Sequence, residues 1–479
     1  MSLKKKFKKD LTEDVDLYFN NNSLESNTKI SRSRVGIFTT RIIAAAVLVP
    51  LSLAIIAPLI YVLSNLKDSV GDVQRRYTLS EIKKLKQGSF RSLNEITYPS
   101  TQGVNNFSGA EKAAYANFTN QTYRNLVPET NLMYSPLTLY GFFVDTYAAL
   151  SKDNLIESYN SIIGLGLDET ATFYKKLFEN NYFANSEGMI ELHNGVFLNN
   201  EDTPNQNYID YLNKVYTECF SMDFGNQKDV ETMVEWVNES VGDSKFIKVN
   251  DLSIDSEMTV AYLFSTMNFD MEWQSKFVKS GTYKGPFQMN DGTVVQTKFM
   301  QHTYENSYFD YGKYISVTDR YNYGYTITYL VPKNLEDNIY DLIGDRNIFS
   351  EDLDKEKDYA NIELHVPKFE ITKMFDFKKL ISNLGMHNLM GYPNDSLHNM
   401  FEEHGGPVYL DTIMQKNFIK LDEDGTKIKS VQISGVGSAK AMPLSTLRVQ
   451  LDQPFIYIVK DANGFPIYVG NMDNPTLKD

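Results

Sequence analysis

Hydrophobic and polar positions follow two periods along most of the chain. Residues 133–150 carry apolar side chains at helical spacing, and Ser135-Pro136 within them is typical of a helix start. Residues 258–269 (MTVAYLFSTMNF) and 323–331 (YGYTITYLV) are apolar, aromatic and β-branched, so they predict buried strands. These patterns together predict a fold that mixes helices with strands.

The C-terminal part continues this mixture. Residues 362–371 (IELHVPKFEI) alternate as one strand, and residues 375–384 then have helical spacing. The end of the chain predicts two successive strands, 455–459 and 467–470, joined by a turn at 461–464 (DANG). Because no second linker follows the one near residue 100, the remaining chain is predicted to form one large domain.

One long segment of this domain lacks any core-forming pattern. It lies between a turn at residues 422–425 (DEDG) and a predicted strand at 447–451, and its middle is SGVGSAKAMP, residues 434–443. A loop of about 20 residues inside a compact domain is usually functional or disordered. It is therefore the first place to look for function.

An uncharged apolar segment lies near the N-terminus. It runs from Ile42 to Leu63 (IIAAAVLVPLSLAIIAPLIYVL), which is 22 residues. At about 1.5 Å per residue, a helix of this length spans a hydrocarbon core of about 30 Å. Pro50 and Pro58 are tolerated in membrane spans. We therefore predict a single transmembrane helix here rather than a buried helix of a soluble domain.

The charges around this segment predict its orientation. Nine basic residues precede it, whereas only Lys67, Arg75 and Arg76 follow it closely. The positive-inside rule places residues 1–41 in the cytoplasm, as a disordered basic tail, and the rest of the chain outside the cell. A cleaved signal peptide is disfavoured by the length of the N-terminal region and the missing cleavage motif.

The domain boundaries and the charge follow from this orientation. Residues 64–109 predict a juxtamembrane stalk and linker, and residues 110–479 form the extracellular domain. From residue 64 onward there are 38 basic and 56 acidic residues, a net charge of −18, which argues against nucleic acid as a partner. The single cysteine, Cys219, excludes an intramolecular disulfide and favours a bacterial cell surface.

Motifs of catalysis and metal binding are missing. HExxH, GxSxG, Walker A and CxxC do not occur, and no two of the six histidines have the spacing of metal ligands on one helix. Gly435-Val436-Gly437 lacks the third glycine and the flanking strand of a nucleotide-binding loop. Cys219 is predicted to be a small buried residue. We expect no catalytic residue, no metal, no cofactor and no enzyme activity.

Four separated blocks of the sequence stand out: NLMYSPLT (131–138), VPKFEI (366–371), EDGT (423–426) and DQPFIY (452–457). They resemble motifs of the serpin family of serine protease inhibitors. Any one block is weak, but together they occur in the family's order and spacing over about 365 residues. Trp236 and Trp273 also fall where the family usually has tryptophan.

The resemblance implies a serpin-like α+β fold of three β-sheets, eight or nine helices and an exposed reactive loop. In that family a protease attacks the loop and forms an acyl-enzyme. The cut loop then inserts as a new strand of the largest sheet and traps the protease, driven by strain held in the native state.

The resemblance also assigns the site residues. The hinge corresponds to Glu423, Asp424, Gly425 and Thr426, and the bait loop extends from residue 427 to about 446. The spacing places the reactive bond after Ala439 or after Lys440. The sheet-opening region corresponds to Ser135, Thr138, Ser265 and Gln415, and the last two replace the family's usual asparagine and histidine.

The segment after the hinge departs from the family's alanine-rich pattern. Side chains of a strand alternate between its two faces, so if Thr426 faces the core, Ile428, Ser430 and Gln432 face it as well. Lys427 and Lys429 then point outward. Ile428 is bulky, and Gln432 needs a hydrogen-bond partner once it is buried. Insertion is therefore possible but slow, and slow insertion makes the protein a substrate.

Two functions remain open at this point. The first is a monomeric, membrane-tethered inhibitor, acting at the outer cell surface on a serine protease or on a papain-like cysteine protease. A bond after Ala439 suits an elastase-like or subtilisin-like protease, and a bond after Lys440 suits a trypsin-like one. The alternative is a non-inhibitory surface binding protein with the serpin fold.

Overall fold

The computed structural model describes residues 79–82, 89–127, 129–185, 188–350, 358–426 and 445–477. The predicted tail, the predicted membrane helix at 42–63 and the bait residues Ala439 and Lys440 lie outside these ranges. Among the residues described, no helix is both long and apolar enough to cross a membrane.

The helices begin where capping residues occur in the sequence. Ser135 accepts a hydrogen bond from the N–H of Thr138 at 3.1 Å and is followed by proline, which confirms the predicted helix start. The α-helices are α1 Leu79–Ile82, α2 Gly109–Leu126, α3 Pro136–Tyr147, α4 Asp153–Ile163, α5 Leu167–Asn180, α6 Gln206–Lys214, α7 Gln227–Ser240, α8 Ile339–Asp345 and α9 Lys378–Asn383.

The strands form an eight-stranded main sheet, a nine-stranded second sheet and a two-stranded ribbon among the described residues. In chain order they are β1 Arg91–Ser92, β2 Met133–Tyr134, β3 Phe183–Ala184, β4 Gly188–Asn199, β5 Thr203–Pro204, β6 Thr217–Met222, β7 Ala261–Glu272, β8 Tyr283–Gln288, β9 Val294–Asp310, β10 Tyr314–Arg320, β11 Thr326–Pro332, β12 Asp358–Pro367, β13 Phe369–Asp376, β14 Phe401–Glu403, β15 Met414–Leu421, β16 Gly425–Thr426, β17 Thr446–Gln450, β18 Phe455–Lys460 and β19 Pro466–Met472. This arrangement is α+β.

The main sheet has the order β1-β6-β4-β7-β16-β15-β13, with β3 paired to β4. Only the β4–β6 ladder is parallel among its described pairs; the others are antiparallel. The second sheet has the order β17-β12-β9-β10-β11-β18-β19-β2, with β8 paired to β9. The large apolar core includes residues of both sheets, among them Met271, Leu421 and Val469.

Several predicted strands are confirmed. The run at 258–269 gives β7, the run at 323–331 gives β11, and the two C-terminal strands are β18 and β19. Asp461 shapes the turn between the last two, because its carboxylate accepts hydrogen bonds from the N–H groups of Asn463 and Phe465, both at 2.9 Å.

The segment 362–371 was predicted as one strand, which is wrong. It contains the end of β12 and the start of β13, which belong to different sheets. The change of sheet occurs at Lys368, whose N–H donates to the carbonyl of Lys298 at 2.7 Å. At this point the apolar residues change from even-numbered positions in β12 to odd-numbered positions in β13. The helix predicted from residue 375 begins later, at Lys378, because Phe375 and Asp376 still belong to β13.

The folded domain extends N-terminal of residue 110. Ile82 and Phe90 are buried, and β1 pairs with β6 at the edge of the main sheet. Part of the segment predicted as stalk and linker therefore packs on the domain. Cys219, in β6, is fully buried, as predicted from its sequence context.

Candidate functional site at the hinge and the main-sheet slot

The hinge residues lie at one end of the main sheet. Gly425 pairs with Glu272 of β7, and Thr426 pairs with both Met271 of β7 and Leu421 of β15. The described part of β16, Gly425–Thr426, therefore lies between two long neighbours.

A slot continues beyond Thr426 between these neighbours. β7 extends on to Ala261 and β15 to Met414, and in the part of the chain that the structure describes no ladder joins these two strands directly. A cavity of about 770 Å³ is lined by residues of both strands. Two strands that share a middle neighbour lie roughly 10 Å apart, so the slot has the width of one more strand.

Gly425 allows the hinge to approach β7 closely. A Cβ atom at this position would lie 2.2 Å from the carbonyl oxygen of Met271 and 2.9 Å from the Cα of Glu272. Both are backbone atoms that cannot move aside without breaking the ladder. Only glycine fits at this point of β16.

Aromatic side chains hold the inward face of the hinge. The hydroxyls of Thr426 and Tyr321 lie 2.6 Å apart, and the ring of Tyr321 stacks on Trp273 with centroids 4.4 Å apart. The indole N–H of Trp273 donates to the carbonyl of Asp422 at 2.8 Å. The side chain of Thr426 therefore faces the core, which is the orientation expected from the sequence.

Glu423 is held by a buried ion pair. Its carboxylate bonds to the ammonium of Lys368 and accepts from the hydroxyl of Thr282 at 2.7 Å. Burial by itself raises the pKa of Glu423, but the hydrogen bonds from Lys368 and Thr282 outweigh it, so the pKa is lowered from its ordinary value. The next residue, Asp424, pairs with Lys279 at 2.6 Å on the surface.

Three of the four residues assigned to the sheet-opening region come together around Gln415. Its side-chain oxygen accepts from the N–H of Ser135 at 2.8 Å, and its amide nitrogen donates to the hydroxyl of Thr138 at 2.6 Å. Asn417, two residues further along β15, donates to the same oxygen at 2.9 Å. Asn417 was missed from the sequence, although its place two residues after Gln415 put it on the same face.

Ser265 lies on the opposite wall of the slot. It hydrogen-bonds to the hydroxyl of Tyr174 on α5, which also accepts from the side-chain amide of Asn194 at 2.8 Å. Ser265 lines the same cavity as Gln415. The polar network of this region is therefore divided between the two walls, and neither Tyr174 nor Asn194 carried a signal in the sequence.

Comparisons with known proteins agree with this geometry. Residues 113–475 match the model of the family described as Serpin (serine protease inhibitor). The chain is 26% identical over 386 residues to the alpha-1-antitrypsin-like protein GS55-MS of Ictidomys tridecemlineatus, which covers 76% of this chain and 88% of that protein.

Solved structures share the fold. The native state of Tengpin, a thermophilic serpin, superposes with a TM-score of 0.70 at 18% identity and covers 81% of this chain and all of that one. Thyroxine-binding globulin in complex with thyroxine superposes with a TM-score of 0.65 at 18% identity, covering 76% of this chain and 99% of that one. Since the family model spans most of the chain, and the main sheet carries a short hinge strand above an unfilled slot, this chain belongs to the serpin family.

Proposed function

We propose that this protein is a cell-surface protease inhibitor that acts as a suicide substrate. The observation that carries the proposal is the seating of β16. The hinge occupies the first two positions of a strand between β7 and β15, and the slot continues in line with it. A cleaved loop that extends β16 adds hydrogen bonds to both neighbours and removes the cavity.

The observed register predicts which residues an inserted loop meets on the inward face. Continued along β7 and β15, it sets Ile428 opposite Phe269 and Ile419. Ile428 therefore enters an apolar site, consistent with its size.

The same register supplies the hydrogen-bond partners that Gln432 needs. It sets Gln432 between Ser265 and Gln415, which line the slot from its two walls. All three side chains are polar, so Gln432 meets hydrogen-bonding neighbours on both sides. Because Gln415 already bonds to Ser135, Thr138 and Asn417, it exchanges one of these bonds to pair with Gln432. This complementarity between hinge and slot supports insertion in a chain that lacks the family's small residues.

The two lysines after the hinge lie on the outward face of the inserted strand. In the same register Lys427 stands opposite Asp270, and Lys429 opposite Asn268. Asp270 is partly exposed, whereas Asn268 is only 7% exposed. Lys427 therefore meets a carboxylate near the surface, and Lys429 meets an amide at a largely buried position.

The location and the target complete the proposal. Residues 42–63 anchor the protein in the cell membrane with the N-terminus in the cytoplasm, so the serpin domain faces outward. A protease that cuts after Ala439 takes small side chains, as elastase-like and subtilisin-like serine proteases do. One that cuts after Lys440 is trypsin-like.

The first test is a trapping experiment. The chain from residue 79 onward is mixed with an elastase-like, a subtilisin-like or a trypsin-like protease and run on a denaturing gel. A band at the summed mass of the two proteins is expected with at least one of them, because the acyl-enzyme ester survives denaturation. Sequencing of the released peptide identifies the reactive bond.

The heat stability of the cleaved product separates this proposal from its alternative. Cleavage followed by insertion is expected to raise the melting temperature by tens of degrees, since a strand joins the middle of the main sheet. Cleavage within residues 434–443 without a covalent band and without this rise would overturn the inhibitor proposal. The lack of the family's alanine-rich run after the hinge favours that alternative, a non-inhibitory binding protein.

A separate measurement tests the location. Intact cells that express the full chain are treated with an added protease, and the serpin domain is followed by antibody. We expect the domain to be digested while a cytoplasmic marker survives. Protection of the domain until the membrane is permeabilised would contradict the proposed orientation without affecting the trapping result.

A further inference from the structure

A short segment before the first long helix covers the edge of the main sheet. We name residues 89–98 the N-terminal strap. After the two pairs that β1 makes with β6, the N–H of Leu93 donates to the carbonyl of Cys219 at 2.8 Å. The side-chain amide of Asn94 then continues the ladder, accepting from the N–H of Cys219 at 2.8 Å and donating to the carbonyl of Thr217 at 2.9 Å.

The strap also contacts α7, the helix that packs on the outer face of the sheet. At its start, the hydroxyl of Ser89 donates at 2.5 Å to the carboxylate of Asp229 in the first turn of α7, which is buried. Next to it, the ring of Phe90 packs on Phe220 of β6 with centroids 5.4 Å apart. The strap is thus joined to both the sheet edge and the helix.

A buried carboxylate links the other end of the strap to the same helix. Glu218 of β6, which is 2% exposed, accepts from the hydroxyl of Tyr98 at 2.8 Å and from the indole N–H of Trp236 in α7 at 2.8 Å. Burial and the neighbouring Glu218 both raise the pKa of Tyr98, so its hydroxyl remains a donor. Strap, sheet and helix therefore share one charged group.

The tyrosine is itself held in place. Its ring stacks on Tyr182 with centroids 5.1 Å apart and lies 6.0 Å from Phe178, at the end of α5. Tyr98 therefore cannot leave Glu218 without also leaving this stack.

Helix α7 covers the path of an inserted strand. Val237 and Val241, at its C-terminal end, line the cavity between β7 and β15. The hydroxyl of Thr266 of β7 donates to Ser240 of α7 at 2.9 Å. The register of β16 brings an inserted loop past Thr266 with residue 431 opposite it, so this contact must open for the strand to pass.

We infer that the N-terminal strap is a clamp that keeps α7 on the main sheet and thereby slows strand insertion. This inference rests on the proposed function and names a regulation of its slot. Release of Tyr98 from Glu218, or of Ser89 from Asp229, loosens the helix and lets a strand pass beneath it. The segment that leads toward the membrane thus controls how readily the sheet opens.

The test uses strand uptake and needs no protease. The probe is a synthetic peptide with the sequence of residues 427–438 (KIKSVQISGVGS), and its uptake by the uncleaved full chain in detergent is followed on native gels. Tyr98→Phe keeps the stacked ring and removes the hydroxyl that donates to Glu218 and lies 3.3 Å from Nδ1 of His193 in β4. We expect uptake to become roughly tenfold faster, in line with the loss of one hydrogen bond to a charged group, and amide exchange in α7 to rise with it.

Two further variants make the test decisive. Ser89→Ala removes the contact at the other end of the strap and is expected to speed uptake in the same direction. Tyr182→Phe removes a hydroxyl from the neighbouring ring and leaves both strap contacts intact, so it is expected to match the wild-type rate. Wild-type rates in Tyr98→Phe and Ser89→Ala would overturn the clamp alone. Failure of every variant and of the wild type to take up peptide would overturn the proposed insertion, and the clamp with it.

Discussion

Gly425 is the residue on which the seating of the hinge depends. Its backbone lies against Met271 and Glu272 in a space that admits no Cβ. The rest of the hinge reinforces this position through Thr426 and the buried carboxylate of Glu423. The pairing of β16 is therefore sensitive to a single methyl group.

Gly425→Ala is expected to expel β16 from the main sheet. Insertion then begins from a displaced hinge and loses to hydrolysis, so more inhibitor molecules are consumed for each protease trapped. The measurement is the stoichiometry of inhibition on the trapping gel. Gly344→Ala is the control, because a Cβ at that helical position meets nothing within 4 Å. An unchanged stoichiometry for Gly425→Ala would show that the seating of β16 does not matter.

Asp145 makes the stability of the domain depend on pH. Burial raises its pKa to about 8, against the hydrogen bond from Thr217, so the folded protein keeps a proton that the unfolded chain loses near 3.8. The contribution of protonated Asp145 to the free energy of unfolding is therefore complete below about pH 3.8 and is lost as the pH rises through about 8.

Asp145→Asn imitates the protonated acid and removes this dependence. We expect the variant to be more stable than the wild type by several kcal/mol at pH 9, and the difference to disappear near pH 4. Urea unfolding midpoints from pH 4 to 9 measure it. Asp411→Asn, at an exposed carboxylate, is the control. Parallel curves for Asp145→Asn and wild type would contradict a raised pKa.

Single residues could be predicted from the sequence where a motif carried them. Glu423, Gly425 and Thr426 were found because the EDGT block resembles a family signature, and the structure brings them into the main sheet. Lys368 and Thr282, which bind the carboxylate of Glu423, were not found. They lie far away in sequence, and a partner across two sheets leaves no local pattern.

At the scale of elements, hydrogen bonds through Gln415 join the start of α3 to β15, one wall of the slot. The side chain of Gln415 in β15 accepts from the N–H of Ser135 and donates to the hydroxyl of Thr138, both at the start of α3. It also accepts from the side chain of Asn417. The hydroxyl of Thr138 and the amide of Asn417 also bond to backbone carbonyls, at 3.3 and 3.2 Å, so the N–H of Ser135 is the group that depends most on this amide.

Gln415→Ala is expected to lower the free energy of unfolding by about 1–3 kcal/mol, since it leaves buried donors without a partner. Chemical denaturation of the uncleaved protein measures the change. Thr412→Ala, an exposed position whose hydroxyl bonds only to its neighbour Asp411 among the described contacts, is the matched control. A loss no larger than that of the control would mean that α3 does not depend on this amide.

Elements were easier to predict than their partners. Helix α3, strands β7 and β11 and the pair β18–β19 follow from the periodicity of their own residues. The division of 362–371 between β12 and β13 did not, because the trace that it leaves in the sequence is only a one-residue shift in the alternation. The pairing of Gly425 and Thr426 in β16 did not follow either, since it depends on β7 and β15, which lie far away in sequence or across a turn.

At the scale of the molecule, the folded unit begins before residue 110. Ile82 and Phe90 are buried in one hydrophobic cluster with Trp236 of α7. The strap is part of this folded unit through its pairs with β6. The N-terminal limit of a stable domain therefore lies before the strap and not at residue 110.

Removal of residues 1–78 is expected to leave the melting temperature within about 2 °C of the full chain in detergent, because the buried contacts are kept. Removal of residues 1–108 deletes the strap and exposes the edge of β6, so the melting temperature falls and aggregation increases. Thermal unfolding of the two truncated chains measures both effects. Equal melting curves for them would show that the strap contributes nothing to the fold.

The order of hydrophobic and polar residues was enough to predict the mixed fold, the helix starts, most long strands and the family, since these depend on periodicity, capping residues and short motifs. The slot, the two-walled polar network and the clamp on α7 depend on which strands lie side by side. That is settled by packing between residues up to hundreds of positions apart, as with Glu218, Tyr98 and Trp236. Because a single sequence records each residue but not its distant neighbour, the hinge could be named in advance and the place that receives it could not.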